Sequence, residues 1–126
     1  MLQMSRVLYI DDDKYNRMLI YRILLAAEFE VEIAGGAMEG IEMARQNPPD
    51  LILMDMSMPD MDGLTATRHI RTLPDLQDIP IVVVTANVME GDRQRSLEAG
   101  SDGFIGKPID VDKFPEQISQ YIRSRG

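Results

Sequence analysis

Cysteine is absent from the 126 residues of this chain, and histidine occurs only once. Without cysteine, the chain has no disulfide bonds and no thiolate metal sites. This absence is compatible with a reducing compartment. Any metal bound by this chain would therefore be held by ligands other than thiolates.

Basic residues are in the minority. The chain has 13 Lys and Arg residues against 21 Asp and Glu residues, which gives a formal net charge of −8. A nucleic-acid-binding surface needs clustered Lys and Arg side chains. We therefore expect no direct contact with DNA or RNA, and a DNA-binding role would require a further domain.

Long apolar runs are also lacking near the N-terminus. The first run, from Val7 to Ile10, is four residues long and ends at the acids that follow. A signal-peptide core needs roughly 7–15 apolar residues, and a membrane helix needs about 20. We therefore expect a cytoplasmic protein that does not enter a membrane. Its length predicts a single domain, residues 1–126, with a core over about 6–122.

Four short apolar runs each lead into a chemically reactive side chain. Residues 6–10 precede Asp11, Asp12 and Asp13, residues 51–54 precede Asp55, residues 81–84 precede Thr85, and residues 103–106 precede Lys107. In open α/β sheets, ligands bind at the carboxyl ends of the strands. The Pro- and Gly-containing turn that follows, residues 58–63, leaves the carboxylate of Asp55 at a strand tip. Asp55 is therefore the first candidate nucleophile.

Strands alternate with helices along the whole chain. Nearly continuous apolar runs at about 6–10, 50–54 and 80–85 predict strands that are buried on both faces of a parallel sheet. The strand at 30–34 alternates charged with apolar residues, which predicts an edge strand. Helices are predicted at about 14–27, 37–47, 63–73, 88–99 and 111–124. This order predicts right-handed βαβ units and a doubly wound α/β sheet.

The ordered set of acids, hydroxyl and ammonium at these strand ends resembles the response regulator receiver (CheY-like) family, from about Arg6 to Ile122. The resemblance implies a flavodoxin-like fold of five parallel strands in the order 2-1-3-4-5 and five helices. It also implies two-component signalling, in which Asp55 takes a phosphoryl group from a phosphohistidine on a histidine kinase or histidine phosphotransfer protein. Receivers catalyse only their own phosphorylation and dephosphorylation, so we do not expect an enzyme in the usual sense.

That strand order makes the acids neighbours. The first and third strands would lie about 4.8 Å apart, which brings Asp11, Asp12 and Asp55 into one small volume. Two carboxylates ~4 Å apart repel by about 4 kcal/mol at an effective dielectric of 20, so the cluster needs a cation. The ligands are all oxygen atoms, and the bound cation must also coordinate phosphate oxygens. Both features favour Mg²⁺ over Ca²⁺. The resemblance assigns Asp12 and Asp55 as direct ligands, Ser57 through its backbone carbonyl, and Asp11 mostly through water.

The resemblance gives further residues a role in phosphorylation. Thr85 and Lys107 would contact the phosphoryl oxygens, and the bond between Lys107 and Pro108 is expected to be cis. Ser57 and Asn87 lie two positions after the phosphoacceptor and the threonine, where side chains flank the water that hydrolyses the acyl phosphate. Both are small and neutral, which predicts an intermediate rate of self-dephosphorylation.

The output surface is predicted to combine the fourth helix, the fifth strand and the fifth helix. The fourth helix has few apolar anchors besides Met89 and Leu97, so we expect it to pack weakly and to move on phosphorylation. Phe104 stands where many receivers carry a Tyr, so its movement would depend on packing and hydration alone. Val111 is expected to begin the apolar stripe of the fifth helix, with Phe114, Ile118, Tyr121 and Ile122. This surface would contact a downstream protein and support weak self-association.

Three shorter predictions concern the loop acids. Asp13 and Asp62 are expected to start the first and third helices as N-caps. Asp60 is expected to be a solvated loop residue.

Three other functions compete with the receiver. One is a pseudo-receiver that acts only as an interaction module, but such a domain would normally lack one of the five site residues, and none is missing here. A phosphatase of the haloacid-dehalogenase type also uses an Asp nucleophile, Mg²⁺, Thr and Lys, but its motif wants Thr or Val where Tyr15 stands, and it leaves Asp55 unexplained. A flavodoxin needs a Ser- or Thr-rich phosphate loop where this chain has three acids. The receiver itself is expected either to stand alone or to belong to a larger protein such as a hybrid histidine kinase.

Overall fold

The computed structural model describes residues 4–86 and 90–125, and over these residues strands and helices alternate as the sequence predicts. The strands are β1 (Arg6–Ile10), β2 (Glu30–Ala34), β3 (Leu51–Asp55), β4 (Ile81–Thr85) and β5 (Gly103–Gly106). The helices are α1 (Lys14–Ala26), α2 (Ala37–Gln46), α3 (Gly63–Arg71), α4 (Glu90–Glu98) and α5 (Phe114–Arg125). The predicted strands and helices are therefore all present.

The five strands form one parallel sheet in the order β2-β1-β3-β4-β5, which confirms the predicted topology. Every residue of β3 and β4 is buried, as their continuous apolar sequences require for the centre of a parallel sheet. The β2 strand is more exposed and lies at one edge, in agreement with its alternating pattern. The direction in which successive strands are added reverses between β1 and β3, and this switch point lies inside the sheet and not at its edge.

Helices cover both faces of the sheet, and the two-residue period of the strands divides the core between them. On one face, Leu8 and Ile10 of β1 pack in a cluster with residues of α2 and α3. On the other face, Val7 and Tyr9 pack in a cluster with residues of α1 and α5. The sheet thus lies between two apolar layers.

Local side-chain caps begin two of the helices as predicted. The Asp13 carboxylate accepts hydrogen bonds from the backbone N–H groups of Tyr15 and Asn16 at the start of α1. The Asp62 carboxylate accepts from the N–H and the hydroxyl of Thr65 at the start of α3. Both caps satisfy amide groups that have no partner within the helix.

Two expectations about the apolar surfaces of the last helices were wrong. Val111 is 53 % exposed and precedes α5, because the Asp110 carboxylate accepts hydrogen bonds from the N–H groups of Asp112 and Lys113 and holds a turn there. Leu97 is 46 % exposed and does not anchor α4. Among the α4 positions whose burial the structure describes, 91 and 93–98, the buried one is Ser96, whose hydroxyl donates to the Arg93 carbonyl. Met89 lies outside the described residues.

Within the described residues, no helix is both long and apolar enough to cross a membrane.

Candidate functional site

The strand ends that the sequence singled out meet around one cavity at the carboxyl edge of the sheet. Asp55 and Thr85 are the last residues of β3 and β4, while Asp11 and Lys107 directly follow β1 and β5. The cavity has a volume of about 290 Å³. Its lining consists of Asp11, Asp12, Asp13, Asn16, Asp55, Ser57, Thr85, Ala86 and Lys107. The parallel order of the strands is what brings these distant parts of the sequence together.

Three carboxylates form the acidic part of the cavity. Asp11, Asp12 and Asp55 each have one oxygen within 4.8 Å of the others. Asp11 is 1 % exposed and Asp55 is 6 % exposed, whereas Asp12 is open to solvent. Unit charges 4.8 Å apart repel by ~3.5 kcal/mol at an effective dielectric of 20, and by ~0.9 kcal/mol in water. A set of oxygen donors at this spacing fits a hard divalent cation.

Lys107 supplies positive charge to the same cavity. Its Nζ atom lies 3.1 Å from Asp55 Oδ1 and 3.7 Å from Asp11 Oδ2. Burial raises the pKa of the Asp55 carboxyl, and the charge of Asp11 raises it further, while the hydrogen bond from Lys107 acts in the opposite direction. The ionised form of Asp55 thus depends on nearby positive charge. The peptide bond between Lys107 and Pro108 is cis.

Asp11 is held by a residue that the sequence analysis did not identify. The buried hydroxyl of Tyr9 donates a hydrogen bond to Asp11 Oδ2, and the backbone N–H of Asp13 donates to Asp11 Oδ1 at 2.8 Å. Burial and the bond to Asp11 both raise the pKa of Tyr9, so the phenol stays a neutral donor. The sequence could have predicted this contact, because residues two apart along a strand point to the same face. The guanidinium of Arg17 also donates to the Asp11 carbonyl, at 2.8 Å.

A short loop, residues 56–62, connects β3 to α3 beside the cavity. The Met56 N–H donates to the Val84 carbonyl at 3.1 Å, and the Gly63 N–H closes the loop by donating to the Met56 carbonyl at 2.8 Å. A Cβ atom on Gly63 would lie 2.4 Å from the Asp55 carbonyl oxygen, so only glycine permits this close approach. The loop therefore places Ser57 at the cavity and lets α3 begin directly against the backbone of Asp55.

Three further residues were predicted to contact the phosphoryl group, to respond to it or to tune its hydrolysis, namely Thr85, Phe104 and Asn87. Thr85 is buried in the cavity lining, and its carbonyl accepts a 2.7 Å hydrogen bond from the Lys107 N–H, which ties the ends of β4 and β5 together. Phe104 is half-buried on β5 and pairs with Val83 rather than with the acids. Asn87 lies outside the described residues.

Sequence comparison identifies the family of this chain. The model of the response regulator receiver domain matches residues 7–119. The chain belongs to this family. The polar-differentiation response regulator DivK of Brucella ovis is 34 % identical over 116 residues, which cover 92 % of this chain and 94 % of DivK.

Solved receivers share the fold. Chemotaxis protein CheY4 of Vibrio cholerae matches with a TM-score of 0.90 and 25 % identity, over 94 % of this chain and 99 % of CheY4. The receiver domain of the sensor histidine kinase PA1611 from Pseudomonas aeruginosa matches with a TM-score of 0.88 and 28 % identity, over 96 % of this chain and 99 % of that domain. The PA1611 domain was solved with a magnesium ion coordinated in its active-site cleft.

Membership in the receiver family makes this chain a component of two-component signalling rather than an enzyme in the usual sense. The acidic cavity lies within the residues that the family model matches. The competing phosphatase and flavodoxin interpretations gain no support from these relatives.

Proposed function

We propose that this receiver accepts a phosphoryl group on Asp55 from a phosphohistidine of a histidine kinase or histidine phosphotransfer protein, in a reaction that requires Mg²⁺. The observation that carries the proposal is the carboxylate of Asp55 at the tip of β3. It lies with the carboxylates of Asp11 and Asp12 within 4.8 Å and the ammonium of Lys107 at 3.1 Å. A nucleophile, oxygen ligands for a cation and a cationic partner for phosphate thus line one cavity.

The cation would be held by oxygen atoms alone. We assign Asp12 and Asp55 as direct ligands, the backbone carbonyl of Ser57 as a third, and Asp11 as a ligand through water. When bound, Mg²⁺ would supply positive charge that offsets the carboxylates and the oxygens of the incoming phosphoryl group. The magnesium ion in the PA1611 receiver supports this choice of metal.

The bonds that form and break in the transfer involve only Asp55 and the donor histidine. An oxygen of the Asp55 carboxylate attacks phosphorus and forms a P–O bond, while the P–N bond to the donor histidine breaks and its electron pair returns to the imidazole. The product is an acyl phosphate. Lys107 is already within hydrogen-bond distance of Asp55 Oδ1, so its ammonium is positioned to bind an oxygen of the new phosphoryl group, and Thr85 would donate its hydroxyl to another.

Phosphorylation would then change the surface formed by α4, β5 and α5. Because Lys107 follows β5 and Thr85 ends β4, new bonds from both to a phosphoryl group would draw the loops after these strands inward. Phe104 on β5 would change its packing with them. We assign this surface the contacts with a downstream protein and weak self-association, in a cytoplasmic protein whose single receiver domain spans residues 1–126.

Intact mass spectrometry tests the phosphorylation proposal. Incubation with acetyl phosphate and Mg²⁺ should add one phosphoryl group, excess chelator should prevent the addition, and Asp55→Asn should abolish it. Asp75→Asn, which removes an exposed loop carboxylate, is the matched control and should be labelled like the parent. A label that persists in Asp55→Asn, or that forms equally in chelator, contradicts the assignment.

Amide hydrogen exchange tests the output surface. Beryllium fluoride mimics a phosphoryl group on a carboxylate, and in the presence of Mg²⁺ it should change exchange across residues 90–106 in the parent but not in Asp55→Asn. Changes confined to the loops around the acidic cavity would rule out this output surface.

A further inference from the structure

The N-terminus of α2 is capped by a residue that is distant in the sequence. Gly36, the N-cap residue, has no side chain that accepts a hydrogen bond. Instead, the Asp60 carboxylate accepts from the Ala37 N–H at 3.3 Å and from the Met38 N–H at 3.1 Å. These bonds lower the pKa of Asp60, the bond from Met38 most of all. Asp60 is solvent-exposed, as expected, but its carboxylate caps a helix and is not free in the loop.

Asp60 belongs to the loop 56–62 that leads away from Asp55. The loop also contains Ser57, the proposed carbonyl ligand, and Met58, whose side chain is buried in one core cluster with Ala37. The middle of the loop is thus joined to the first turn of α2 by the hydrogen bonds of Asp60, and both segments contribute side chains to the same core cluster. Asp62, the other acid of the loop, caps α3 instead and makes no bridge to α2.

We propose that Asp60 is a positioning residue for the cation site. Its carboxylate holds the loop 56–62 against α2, so that the backbone at Ser57 keeps the arrangement that binds a divalent cation beside Asp55. This inference rests on the proposed function. Without the bridge, the loop samples other arrangements, and the apparent affinity for the cation falls by the fraction of molecules that remain competent.

The space beside Gly36 provides an independent test of the contact between Asp60 and α2. A Cβ atom on Gly36 would lie 3.2 Å from Asp60 Oδ2, so an alanine there must displace the carboxylate slightly. The backbone of Gly36 is extended, with φ of −169°, and imposes no requirement for glycine. At the adjacent Gly35, a Cβ atom would lie 3.4 Å from Arg17 Nη1, which is an ordinary van der Waals distance and requires no displacement. Gly35→Ala is therefore a matched control for Gly36→Ala.

The first experiment measures Mg²⁺ affinity by calorimetric titration, and amide exchange at Ala37 and Met38 by NMR. Asp60→Ala should weaken Mg²⁺ binding roughly fivefold, the factor that corresponds to a typical helix cap, and should speed exchange at both amides. Asp60→Asn should lose less affinity than Asp60→Ala, because asparagine is also a good helix cap but has one carbonyl oxygen for the two N–H groups that the carboxylate binds. Asp50→Ala is the control, since it removes a 2.7 Å hydrogen bond from the Arg6 N–H at the amino-terminal ends of the strands, opposite the cation site. It should leave Mg²⁺ affinity unchanged.

The second experiment asks whether Gly36 acts through Asp60. Gly36→Ala should weaken Mg²⁺ binding in the parent but add little in the Asp60→Ala background, which is the signature of two coupled residues. Gly35→Ala should have no effect in either background.

The outcomes separate this inference from the proposed function. If Asp60→Ala binds Mg²⁺ like the parent although Ala37 and Met38 exchange faster, the cap exists but does not position the site. Equal losses of affinity in Asp60→Ala and Asp50→Ala would show a general loss of stability and would also overturn the inference. If the parent itself binds no Mg²⁺, the proposed function fails and the inference falls with it.

Discussion

Replacing Lys107 with methionine removes the ammonium that lies between two buried carboxylates. Methionine keeps most of the length and the apolar part of the side chain, so the change is chiefly one of charge. The metal-free protein should lose stability, because Asp11 and Asp55 then face each other without their cationic partner. Mg²⁺ should bind more tightly to the variant, because a positive charge that opposes the cation is gone.

The distances give the size of the effect. At an effective dielectric of 20, the gross attraction is about 5 kcal/mol for the 3.1 Å contact with Asp55 and about 4.5 kcal/mol for the 3.7 Å contact with Asp11. Desolvation and lost side-chain entropy offset much of this attraction, and the Lys107 side chain remains 22 % exposed. We therefore expect a loss of ~2–3 kcal/mol, just below the ~3–5 kcal/mol typical of breaking a fully buried pair. For a domain of this size the loss corresponds to a fall in Tm of about 8–12 °C.

Thermal unfolding followed by circular dichroism measures both effects, first in chelator and then at increasing Mg²⁺ concentration. Lys113→Met is the matched control, because it removes the same charge from an exposed position outside the cavity. The Lys107→Met variant should have a lower Tm than the parent in chelator, and Mg²⁺ should raise its Tm by more than it raises that of the parent. If its Tm and its Mg²⁺ response both equal those of Lys113→Met, the electrostatic account of the cavity is refuted.

Asp12→Asn should stabilise the metal-free protein by up to ~1 kcal/mol, because repulsion at an exposed acid is close to its value in water, and it should blunt the Mg²⁺ response. A lower Tm in chelator with an unchanged response would contradict the acidic cluster. Larger or charged replacements at Ser57 should alter the decay rate of phospho-Asp55 severalfold with little effect on Mg²⁺ affinity, and identical decay across the series would remove the argument. Asp62→Ala should cost about 1 kcal/mol at neutral pH through loss of the α3 cap. Because the folded pKa of Asp62 is lowered, chiefly by the Thr65 N–H, the parent's advantage should shrink as pH falls through that folded pKa, and an advantage that is unchanged in acid would contradict this assignment.

The sheet and the composition of its carboxyl edge could be predicted from the sequence for a simple reason. Continuous apolar runs identify buried parallel strands, and the residue that follows each run must lie at the same edge of the sheet. Asp11, Asp55, Thr85 and Lys107 were found in this way, and they do line one cavity. The N-caps formed by Asp13 and Asp62 could be predicted equally well, because their partners lie two or three residues away in the chain.

Contacts between distant residues could not be predicted in the same way. The cap that Asp60 provides for Ala37 crosses 23 positions of sequence, and only the packing of the loop 56–62 against α2 brings the two together. The hydrogen bond from Tyr9 to Asp11 is different, because strand alternation already places both side chains on one face. At Val111, helical spacing was misleading, since a turn held by Asp110 delays the start of α5 to Phe114.

Chemical mapping of the phosphoryl group tests the central claim most directly. Borohydride reduces an aspartyl phosphate to homoserine, whereas phosphorylated serine, threonine or histidine does not give this product. After treatment of the protein with acetyl phosphate and Mg²⁺, followed by borohydride, peptide mass spectrometry should find homoserine at position 55 and aspartate unchanged at positions 11 and 12. Homoserine at another aspartate, or a phosphoryl group that survives reduction on a hydroxyl or imidazole, would contradict the assignment of Asp55 as the phosphoacceptor.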